Sequence, residues 1–463
     1  MSDPLPPICA PVDIAVIGAG VVGCAIARRL TLDGHRVAVL DKAADALDGA
    51  SKANSAILHT GFDAPEGSLE AACIAEGHAE YLSIRDRLNL PLDRAGALVL
   101  AWDEAQEARL PELIAQAHRN GITDVAPLSR AQILAMEPAL APHLCAGFRV
   151  PGESLIDPWS APHAYLRQAV ENGARFLPGA ELTGAAFDGT HWTLFTPRGS
   201  LRAGQVVNAA GLYGDRVDRL LHGEADFEIR PRKGQFVVFD KTAARLAHHI
   251  LLPVPSATTK GIVICRTVWG NLLVGPTAEE QAGRDTAALV PETLQMLRDT
   301  GAAMIPALAG HEVTAVYAGL RPATEEKGYR LRHRPERNAV TVGGIRSTGL
   351  SAALGLASHV ARMIGGATPL PAPAWPRMPV LAESGPRDWQ SPGHGGIVCH
   401  CELVTRREIE AALTGPLPAR TLAGLKRRTR ATMGRCQGFY CTAALAGITR
   451  GRLAEPMTGG GDD

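Results

Sequence analysis

The 463-residue chain lacks several features that would assign it to a class of protein at once. It has no net charge, because 47 Lys and Arg residues balance 47 Asp and Glu residues, so no broad nucleic-acid-binding surface is expected. It has no apolar run of about 18 residues, and therefore no predicted membrane-spanning helix. Its start, MSDPLPPICAPVD, lacks the basic and apolar regions of a secretory signal. We expect a cytoplasmic protein with at most peripheral contact at the inner face of the membrane.

The chain also lacks the cysteine pattern of a disulfide-stabilised secreted domain. Its nine cysteines are an odd number, and five of them are scattered: Cys9, Cys24, Cys73, Cys145 and Cys265. This pattern fits a reducing compartment, in which thiols are free or bound to metal. The remaining four cysteines are concentrated near the C-terminus.

The N-terminal region contains a nucleotide-binding pattern. Residues 12–17, VDIAVI, are typical of a buried parallel strand, and a helical pattern follows the motif GAGVVG. In that motif Gly18, Gly20 and Gly23 permit a tight turn, close approach of the backbone to a pyrophosphate, and close packing of helix on strand. A second apolar run, RVAVLD, ends in Asp41, which would accept a hydrogen bond from a ribose hydroxyl. Strand, glycines, helix, strand and acid in this order predict a dinucleotide-binding fold.

Later segments favour FAD over NAD. They are GASKANSAILHTGFD, QVVNAAGLYGDRV at residues 205–217, YAGLRPAT at residues 317–324, and AVTVGGIRSTGLSAALGLASHVARMI, which begins at residue 339. Over roughly residues 12–365, the chain resembles the FAD-dependent oxidoreductases of the D-amino-acid-oxidase and glycerol-3-phosphate-dehydrogenase superfamily. The resemblance implies an FAD cofactor. The cofactor contacts that it implies, besides the fingerprint glycines and Asp41, are Lys42, Ser51, Lys52, Asn54, Ser55, Ala210, Gly211, Gly344, Ser347, Gly349 and Leu350.

The region between the nucleotide motifs is expected to form a substrate domain. Residues 78–140 contain amphipathic helical segments, whereas residues 225–280 alternate apolar and polar side chains, as in an antiparallel sheet with one open face. We expect an α/β fold, in which a Rossmann-like FAD-binding domain carries an inserted antiparallel-sheet substrate domain and a small helical C-terminal [2Fe-2S] domain. The predicted boundaries are residues 12–77, 145–220 and 335–368 for the FAD-binding domain, and residues 78–144 and 221–334 for the substrate domain.

Five residues are candidates for the chemistry. Flavin oxidation of a carbon that bears O–H or N–H transfers a hydride and requires a base for the second proton. The resemblance implies His59 as this base or as a flavin contact, and the alternative is a histidine bonded to backbone in a turn. It implies that Arg321 binds a carboxylate or phosphate, and the alternative is a structural arginine. Arg346 is either a second anion contact or a solvent-facing arginine. For Tyr317 and Lys260 a structural role is the favoured interpretation.

The motifs leave the substrate open. Glycerol-3-phosphate dehydrogenases commonly have an arginine just after the H-x-G stretch, whereas this chain has Phe62 and Asp63. Residues 61–71 resemble the 2-hydroxyglutarate dehydrogenase branch, yet a histidine of that branch is absent from the segment GIVICRTVW. Both branches share a small anionic substrate, such as L-2-hydroxyglutarate or glycerol 3-phosphate. The alternatives are an amine or imino-acid dehydrogenase, and an electron-transfer subunit of a larger complex whose substrate site is degenerate.

The C-terminal cysteines form a C-x-C pair, Cys399 and Cys401, and a C-x4-C pair, Cys436 and Cys441. Residues 369–395 are rich in Pro and Gly and predict a linker, and residues 396–455 form a compact unit. C-x-C rarely closes as a disulfide, and zinc sites usually have C-x2-C motifs. A [2Fe-2S] cluster needs four thiolates, two on each iron. The spacing favours the cluster, with zinc and disulfides as alternatives.

The compact unit resembles the bacterioferritin-associated-ferredoxin-like [2Fe-2S] domain in CHCELVTRREI and LKRRTRATMGRCQGFYC. That domain also follows the same flavin fold in one of the subunits of the anaerobic glycerol-3-phosphate dehydrogenases. A flavin accepts a hydride and a cluster carries single electrons, so the combination implies a dehydrogenase that delivers electrons to an electron-acceptor protein or a quinone-linked subunit. The basic run at residues 426–430 has three interpretations: a solvated helix face, a charge that offsets the cluster, or a docking site for an acidic partner.

The sequence leaves the oligomeric state open, and both homo- and hetero-oligomers are compatible with it.

Overall fold

The computed structural model describes residues 8, 10–255, 261–365 and 368–457, so Cys9 and Lys260 lie outside the described residues. Within the described part, the α-helices are α1 (Val21–Leu32), α2 (Leu69–Leu88), α3 (Glu104–Glu107), α4 (Leu110–Arg119), α5 (Arg130–Met136), α6 (Ser160–Glu171), α7 (Gly214–His222), α8 (Pro291–Met304), α9 (Gly349–Ile364), α10 (Arg406–Thr414), α11 (Leu422–Thr429) and α12 (Thr442–Thr449). Short 3-10 helices are found at Ala50–Lys52, Gly211–Tyr213, Lys241–Leu246, Pro306–Gly310, Pro335–Arg337 and Asp388–Gln390.

The strands of the described part form four sheets. They are β1 (Val12–Ile17), β2 (Val37–Leu40), β3 (Ile57–Leu58), β4 (Leu92–Asp93), β5 (Ala97–Ala101), β6 (Ala126–Ser129), β7 (Ala146–Val150), β8 (Ser154–Ile156), β9 (Arg175–Leu177), β10 (Gly184–Phe187), β11 (Trp192–Thr196), β12 (Gly199–Asn208), β13 (Arg232–Phe239), β14 (Ile250–Pro253), β15 (Val263–Arg266), β16 (Leu272–Gly275), β17 (Glu279–Glu280), β18 (Val313–Arg321), β19 (Arg330–Arg334), β20 (Ala339–Gly343), β21 (Ile397–Cys399) and β22 (Val404–Thr405).

The first sheet has a parallel centre in the order β9, β2, β1, β12 and β20. In its register Val16 lies opposite Val39 on one side and Val207 on the other. These strands are apolar on both faces, as a parallel sheet between helices requires. Strand β11 pairs antiparallel with the first half of β12, β10 pairs antiparallel with β11, and β19 pairs antiparallel with β20. The predicted Rossmann-like fold is confirmed.

Helices α2 and α9 pack closely because each has a glycine at their contact. A Cβ added at Gly77 would lie 2.1 Å from the backbone oxygen of Ser351, and one added at Gly355 would lie 2.2 Å from that of Cys73. Neither distance is possible for a real side chain, so any larger residue would separate the helices. This packing fixes the N-terminal end of α9, which lies at the candidate site.

The second sheet has the order β17, β13, β16, β15, β14, β5, β7 and β6, with β18 on the other side of β13. Its pairs are antiparallel apart from the parallel pair of β14 with β5. Strand β7 pairs with β5 and β6 in this sheet, although residues 145–220 were predicted for the FAD-binding domain. The reason is that AGFRV alternates like any half-buried strand, so its local pattern does not specify which sheet it joins. Strands β3, β8 and β4 form a small third sheet.

Residues 368–395, which include the whole predicted linker, form a strap on the rest of the protein. The backbone N–H of Leu370 donates to the carbonyl of Leu32, and that of Met378 donates to the carbonyl of Leu88, each at 2.9 Å. Met378, Leu381 and Ala382 belong to the main hydrophobic core. The C-terminal unit follows with the β21–β22 hairpin, helices α10–α12 and an apolar core of its own.

Among the helices of the described residues, none combines the length and the apolar character needed to cross a membrane.

Candidate active site and cluster cradle

The glycine turn between β1 and α1 depends on all three predicted glycines. Gly18 has φ +108°, and a Cβ there would lie 2.5 Å from the carbonyl oxygen of Ala209. A Cβ at Gly23 would lie 1.9 Å from the oxygen of Gly18, and one at Gly20 would lie 3.2 Å from Ser51 Oγ. Ser51 Oγ also accepts a hydrogen bond from the first helical N–H, at Val21. The turn is therefore tight, and its outer side at Gly20 is open to a ligand.

Asp41 and Lys42 follow β2. The Asp41 carboxylate accepts hydrogen bonds from the backbone N–H groups of Ala19 at 2.6 Å and Ala43 at 2.8 Å. Burial raises the pKa of Asp41. The carboxylate thus ties the glycine turn to the end of β2, and its contact with a ribose stays a prediction. The Lys42 ammonium lies 3.5 Å from the centroid of the Tyr213 ring.

A cavity of about 520 Å³ begins beside the glycine turn and continues to the second sheet. Its wall includes nine of the predicted cofactor residues: Gly20, Ser51, Asn54, Ser55, Gly211, Gly344, Ser347, Gly349 and Leu350. The other six lie outside its wall: Gly18, Gly23, Asp41, Lys42, Lys52 and Ala210. The open glycine turn and the N-terminus of the 16-residue helix α9 both border the cavity. Helix N-termini bind phosphate and electronegative oxygens, so these residues fit FAD.

His59 lines the cavity and is oriented by Glu153, a residue that sequence reasoning missed. His59 Nδ1 lies 2.8 Å from Glu153 Oε2, and Glu153 is fully buried. Its other carboxylate oxygen accepts hydrogen bonds from the backbone N–H and the hydroxyl of Thr60. A carboxylate at Nδ1 holds the proton on that nitrogen and leaves Nε2 free to accept a proton. Glu153 lies in the turn GES with no pattern that would have identified it.

Four arginines line the same cavity, and three of them, Arg232, Arg321 and Arg346, lie close enough together for their charges to interact. The Arg321 guanidinium donates to the carbonyl of Thr277 at 3.1 Å and to that of Lys233 at 3.4 Å. Burial, with the charges of Arg232 and Arg346, lowers the pKa of Arg321 to about 10. Within the described part of the chain no carboxylate forms an ion pair with Arg321. This end of the cavity therefore carries positive charge that an anionic ligand would neutralise.

Tyr317 has a structural position. Its ring stacks on Phe236 with centroids 4.6 Å apart, and its hydroxyl donates to the carbonyl of Asn54 at 2.7 Å. Burial raises its pKa well above the usual value. Tyr317 thus holds the segment at Asn54 against the second sheet from outside the cavity wall. Phe62 and Asp63 do line the cavity, and the Phe62 ring packs edge-on against Phe148.

The four C-terminal cysteines form two pairs of neighbouring thiols. Burial and Cys399 raise the pKa of Cys441 to about 11. Burial and the Cys436 thiol raise the pKa of Cys401, whereas backbone N–H groups, that of Tyr440 foremost, lower the pKa of Cys436. Each pair, Cys399 with Cys441 and Cys401 with Cys436, combines one cysteine from each motif.

This arrangement fits a [2Fe-2S] cluster. The eight cysteines within the described residues are all free thiols, which argues against a disulfide framework. Two pairs of thiolates are the ligand set of two irons.

The basic run at residues 426–430 docks the C-terminal unit onto the FAD-binding domain. Arg428 forms a buried ion pair with Asp45 at 2.8 Å. Arg427 donates to the carbonyl of Ala46 at 3.0 Å and lies 3.4 Å from Asp48. Of the interpretations of this run, the solvated helix face is therefore wrong for Arg427 and Arg428. The acidic partner that they bind is a segment of the same chain.

These features define a class: an oxidoreductase that carries FAD in a Rossmann-like fold and a [2Fe-2S] cluster in a C-terminal domain. Residues 13–363 match the family described as FAD dependent oxidoreductase, and residues 397–449 match the BFD-like [2Fe-2S] binding domain. The chain belongs to this family of FAD-dependent oxidoreductases, and its relatives identify it as a dehydrogenase.

Some relatives match nearly the whole chain, and others match only part of it. A glycerol 3-phosphate dehydrogenase from Caloramator mitchellensis is 31% identical, over 96% of this chain and 95% of its own length. A subunit of the anaerobic glycerol-3-phosphate dehydrogenase of Escherichia coli is 27% identical over 94% of this chain and 87% of its own. An L-2-hydroxyglutarate dehydrogenase from Indibacter alkaliphilus is 25% identical over 57% of this chain and 67% of its own. The solved L-alpha-glycerophosphate oxidase from Mycoplasma pneumoniae, with FAD bound, has a TM-score of 0.74 and 26% identity, covering 79% of this chain and 98% of that one.

Proposed function

We propose that the protein oxidises the secondary hydroxyl of glycerol 3-phosphate and that its electrons leave through the [2Fe-2S] domain. The observation that supports this substrate most is the group of three arginines, of which Arg321 has no carboxylate partner among the described residues. Arg232 already lies 3.4 Å from the Glu280 carboxylate, so a phosphate dianion would neutralise the charges of Arg321 and Arg346. The relatives that match the full length of the chain, including the C-terminal domain, are named for the same substrate.

FAD, when bound, supplies the acceptor for a hydride from the substrate carbon. In this proposal Arg321 donates to the phosphate through its planar guanidinium and positions the polyol in the cavity. His59 Nε2 accepts the proton of the reacting hydroxyl, because Nδ1 is committed to Glu153 at 2.8 Å. Glu153 holds the ring and stabilises the imidazolium after proton transfer.

L-2-Hydroxyglutarate is the second candidate, because a dicarboxylate also fits paired arginines and residues 61–71 resemble that branch. Asp63 in the cavity wall would oppose a phosphate dianion more strongly than it would oppose a carboxylate. The comparison of full-length relatives nevertheless favours glycerol 3-phosphate, since the L-2-hydroxyglutarate dehydrogenase covers only 57% of this chain. An amine or imino-acid substrate is the remaining alternative.

The acceptor in this proposal is an electron-carrier protein or a quinone-linked subunit, and the protein works in the cytoplasm or at the inner face of the membrane. The argument is that a one-electron cluster at the end of the chain serves a one-electron acceptor. The loop after Cys436 presents two exposed aromatic rings, Phe439 at 82% and Tyr440 at 73% exposure, next to the cluster ligands.

The substrate is tested by anaerobic bleaching of the flavin. Purified protein is mixed with glycerol 3-phosphate, L-2-hydroxyglutarate, lactate, proline or sarcosine, and the flavin absorbance is followed. Glycerol 3-phosphate should bleach the flavin faster than any other compound. If L-2-hydroxyglutarate or an amine bleaches the flavin faster, glycerol 3-phosphate is not the substrate and the faster compound takes its place in the proposal. If dithionite alone bleaches the flavin, the protein is an electron-transfer subunit with a degenerate site.

A further inference from the structure

Two tryptophans stack between the FAD-binding cavity and the C-terminal unit. Trp159 lies just before α6, and Trp269 lies in the turn between β15 and β16. Their ring centroids are 4.8 Å apart and their planes differ by 18°. Both are buried, with 9% and 6% exposure. Neither side chain was singled out by any motif.

The Trp159 end of the stack contacts the wall of the cavity. The indole N–H of Trp159 donates to the carbonyl of Lys52 at 3.1 Å. Lys52 lies between Ser51 and Ala53, which line the cavity, and Pro158 lines it as well. One hydrogen bond and one peptide unit therefore separate this indole from the residues that would contact FAD.

The Trp269 end contacts the cluster domain. The guanidinium carbon of Arg430 lies 4.1 Å from the centroid of the Trp269 ring. Arg430 is buried, and its Nε donates to Glu402 at 2.8 Å. Glu402 follows Cys401 directly, and the Arg387 side chain donates to the Glu402 carbonyl at 3.1 Å. The stack is thus linked through one ion pair to a cysteine of the cradle.

Hydrogen bonding does not account for a tryptophan at position 269. The indole N–H of Trp269, like those of Trp102 and Trp375, is buried and has no hydrogen-bond partner among the described residues, so this position makes no use of the polar N–H. Phe or Leu would fill such a site without leaving a polar group unpaired. What the indole adds is a large π surface, in contact with Trp159 on one side and with a cation on the other.

We propose that the Trp159–Trp269 stack is the path along which electrons cross from the flavin to the [2Fe-2S] cluster. Tunnelling falls off more steeply across gaps than through bonded atoms or atoms in contact. The stack, with the Lys52 hydrogen bond at one end and the Arg430–Glu402 ion pair at the other, connects a residue beside the cavity wall to the residue next to Cys401. In each passage the reduced flavin loses one electron and one iron of the cluster changes from Fe(III) to Fe(II). A second passage, after an external one-electron acceptor has reoxidised the cluster, returns the flavin to its oxidised form, and the flavin proton goes to solvent.

The experiment is pulse radiolysis of the holoprotein, which needs no substrate and so is independent of the proposed function. Methyl viologen radical delivers single electrons, and the absorbance of flavin and cluster reports their later redistribution within the protein. This phase is first order and independent of protein concentration. Trp269→Leu and Trp159→Leu should each slow it by about tenfold or more. Trp269→Phe should be intermediate, and Trp102→Leu, directly after β5, should match the wild type.

FAD, iron and sulfide contents should be the same in all variants, and limited proteolysis of residues 369–395 reports whether the cluster domain stays docked. If Trp269→Leu undocks the [2Fe-2S] domain, its slower rate does not test the path. Trp159→Leu then provides the test, because Trp159 lies at the flavin end of the stack, away from the [2Fe-2S] domain. An unchanged rate in Trp159→Leu would overturn the proposal, as would a wild-type protein without any intramolecular phase.

Discussion

The replacement of Arg321 by Met tests the substrate site most sharply. Met has a similar length and no charge, so the side chain still packs in the wall while the cavity loses one of its four guanidinium groups. Truncation of one partner of a buried, hydrogen-bonded charge pair costs about 2–5 kcal/mol. At about 1.4 kcal/mol for each factor of ten, kcat/KM for glycerol 3-phosphate should fall by about 30- to 3000-fold.

The same change should leave the stability of the free protein unchanged or raise it. The pKa of Arg321 is about 10 in the folded protein, below its usual value, because burial and two neighbouring arginines oppose its charge. The unfolded chain therefore binds this proton more tightly than the folded chain, and the charge opposes folding. Only the protonated Arg321 carries the charge that binds an anion. The affinity of the wild-type protein for the substrate should therefore weaken as the pH rises through about 10, where Arg321 loses its proton.

The assay is anaerobic stopped-flow reduction of the flavin over a range of substrate concentrations, with thermal unfolding measured on the same samples. Arg202→Met is the control, because Arg202 is an exposed arginine of β12. If Arg321→Met retained wild-type kcat/KM, Arg321 would not bind the substrate. A large fall in its melting temperature would show that the guanidinium is structural.

Three further predictions concern the rest of the site. Glu153→Gln should slow flavin reduction by about a hundredfold with little change in KM, since the amide cannot stabilise the imidazolium of His59. A hundredfold rise in KM with an unchanged rate of flavin reduction would contradict a role in proton transfer. Asp45→Asn should destabilise docking by about 3–5 kcal/mol, because Arg428 loses its buried partner, and residues 369–395 should become sensitive to protease; unchanged resistance would refute this. Cys436→Ser should lose most of its iron and acid-labile sulfide while FAD content stays normal; intact iron content would remove Cys436 from the ligand set.

Local patterns were sufficient to predict the nucleotide fold. The fingerprint predicts the fold because a side chain at Gly18 or Gly23 would clash with backbone atoms, at Ala209 and Gly18 respectively, so the spacing of the glycines reports how closely the turn packs. The strands at residues 225–280 were also predicted from a local pattern, because alternating apolar and polar side chains indicate a strand with one buried and one open face. Which sheet a strand joins is not a local property, and β7 was accordingly assigned to the wrong side of the domain boundary.

The partners of charged groups could not be predicted from the sequence. Arg428 and Asp45 are 383 residues apart in the chain, and Glu153 is 94 residues from His59. Nothing in the composition around either acid indicates its partner. The strap at residues 368–395 shows the same limit, because its prolines predict the absence of helices and strands but not the burial of Met378 and Leu381 in the core.

The most direct test of the account follows both cofactors in one anaerobic sample after addition of glycerol 3-phosphate. Flavin absorbance is recorded, and the sample is then frozen for electron paramagnetic resonance, which detects a reduced [2Fe-2S] cluster. We predict that the flavin bleaches and that the signal of the reduced cluster appears. A bleached flavin beside a cluster that stays oxidised, although dithionite reduces it, would contradict the claim that electrons leave through the C-terminal domain.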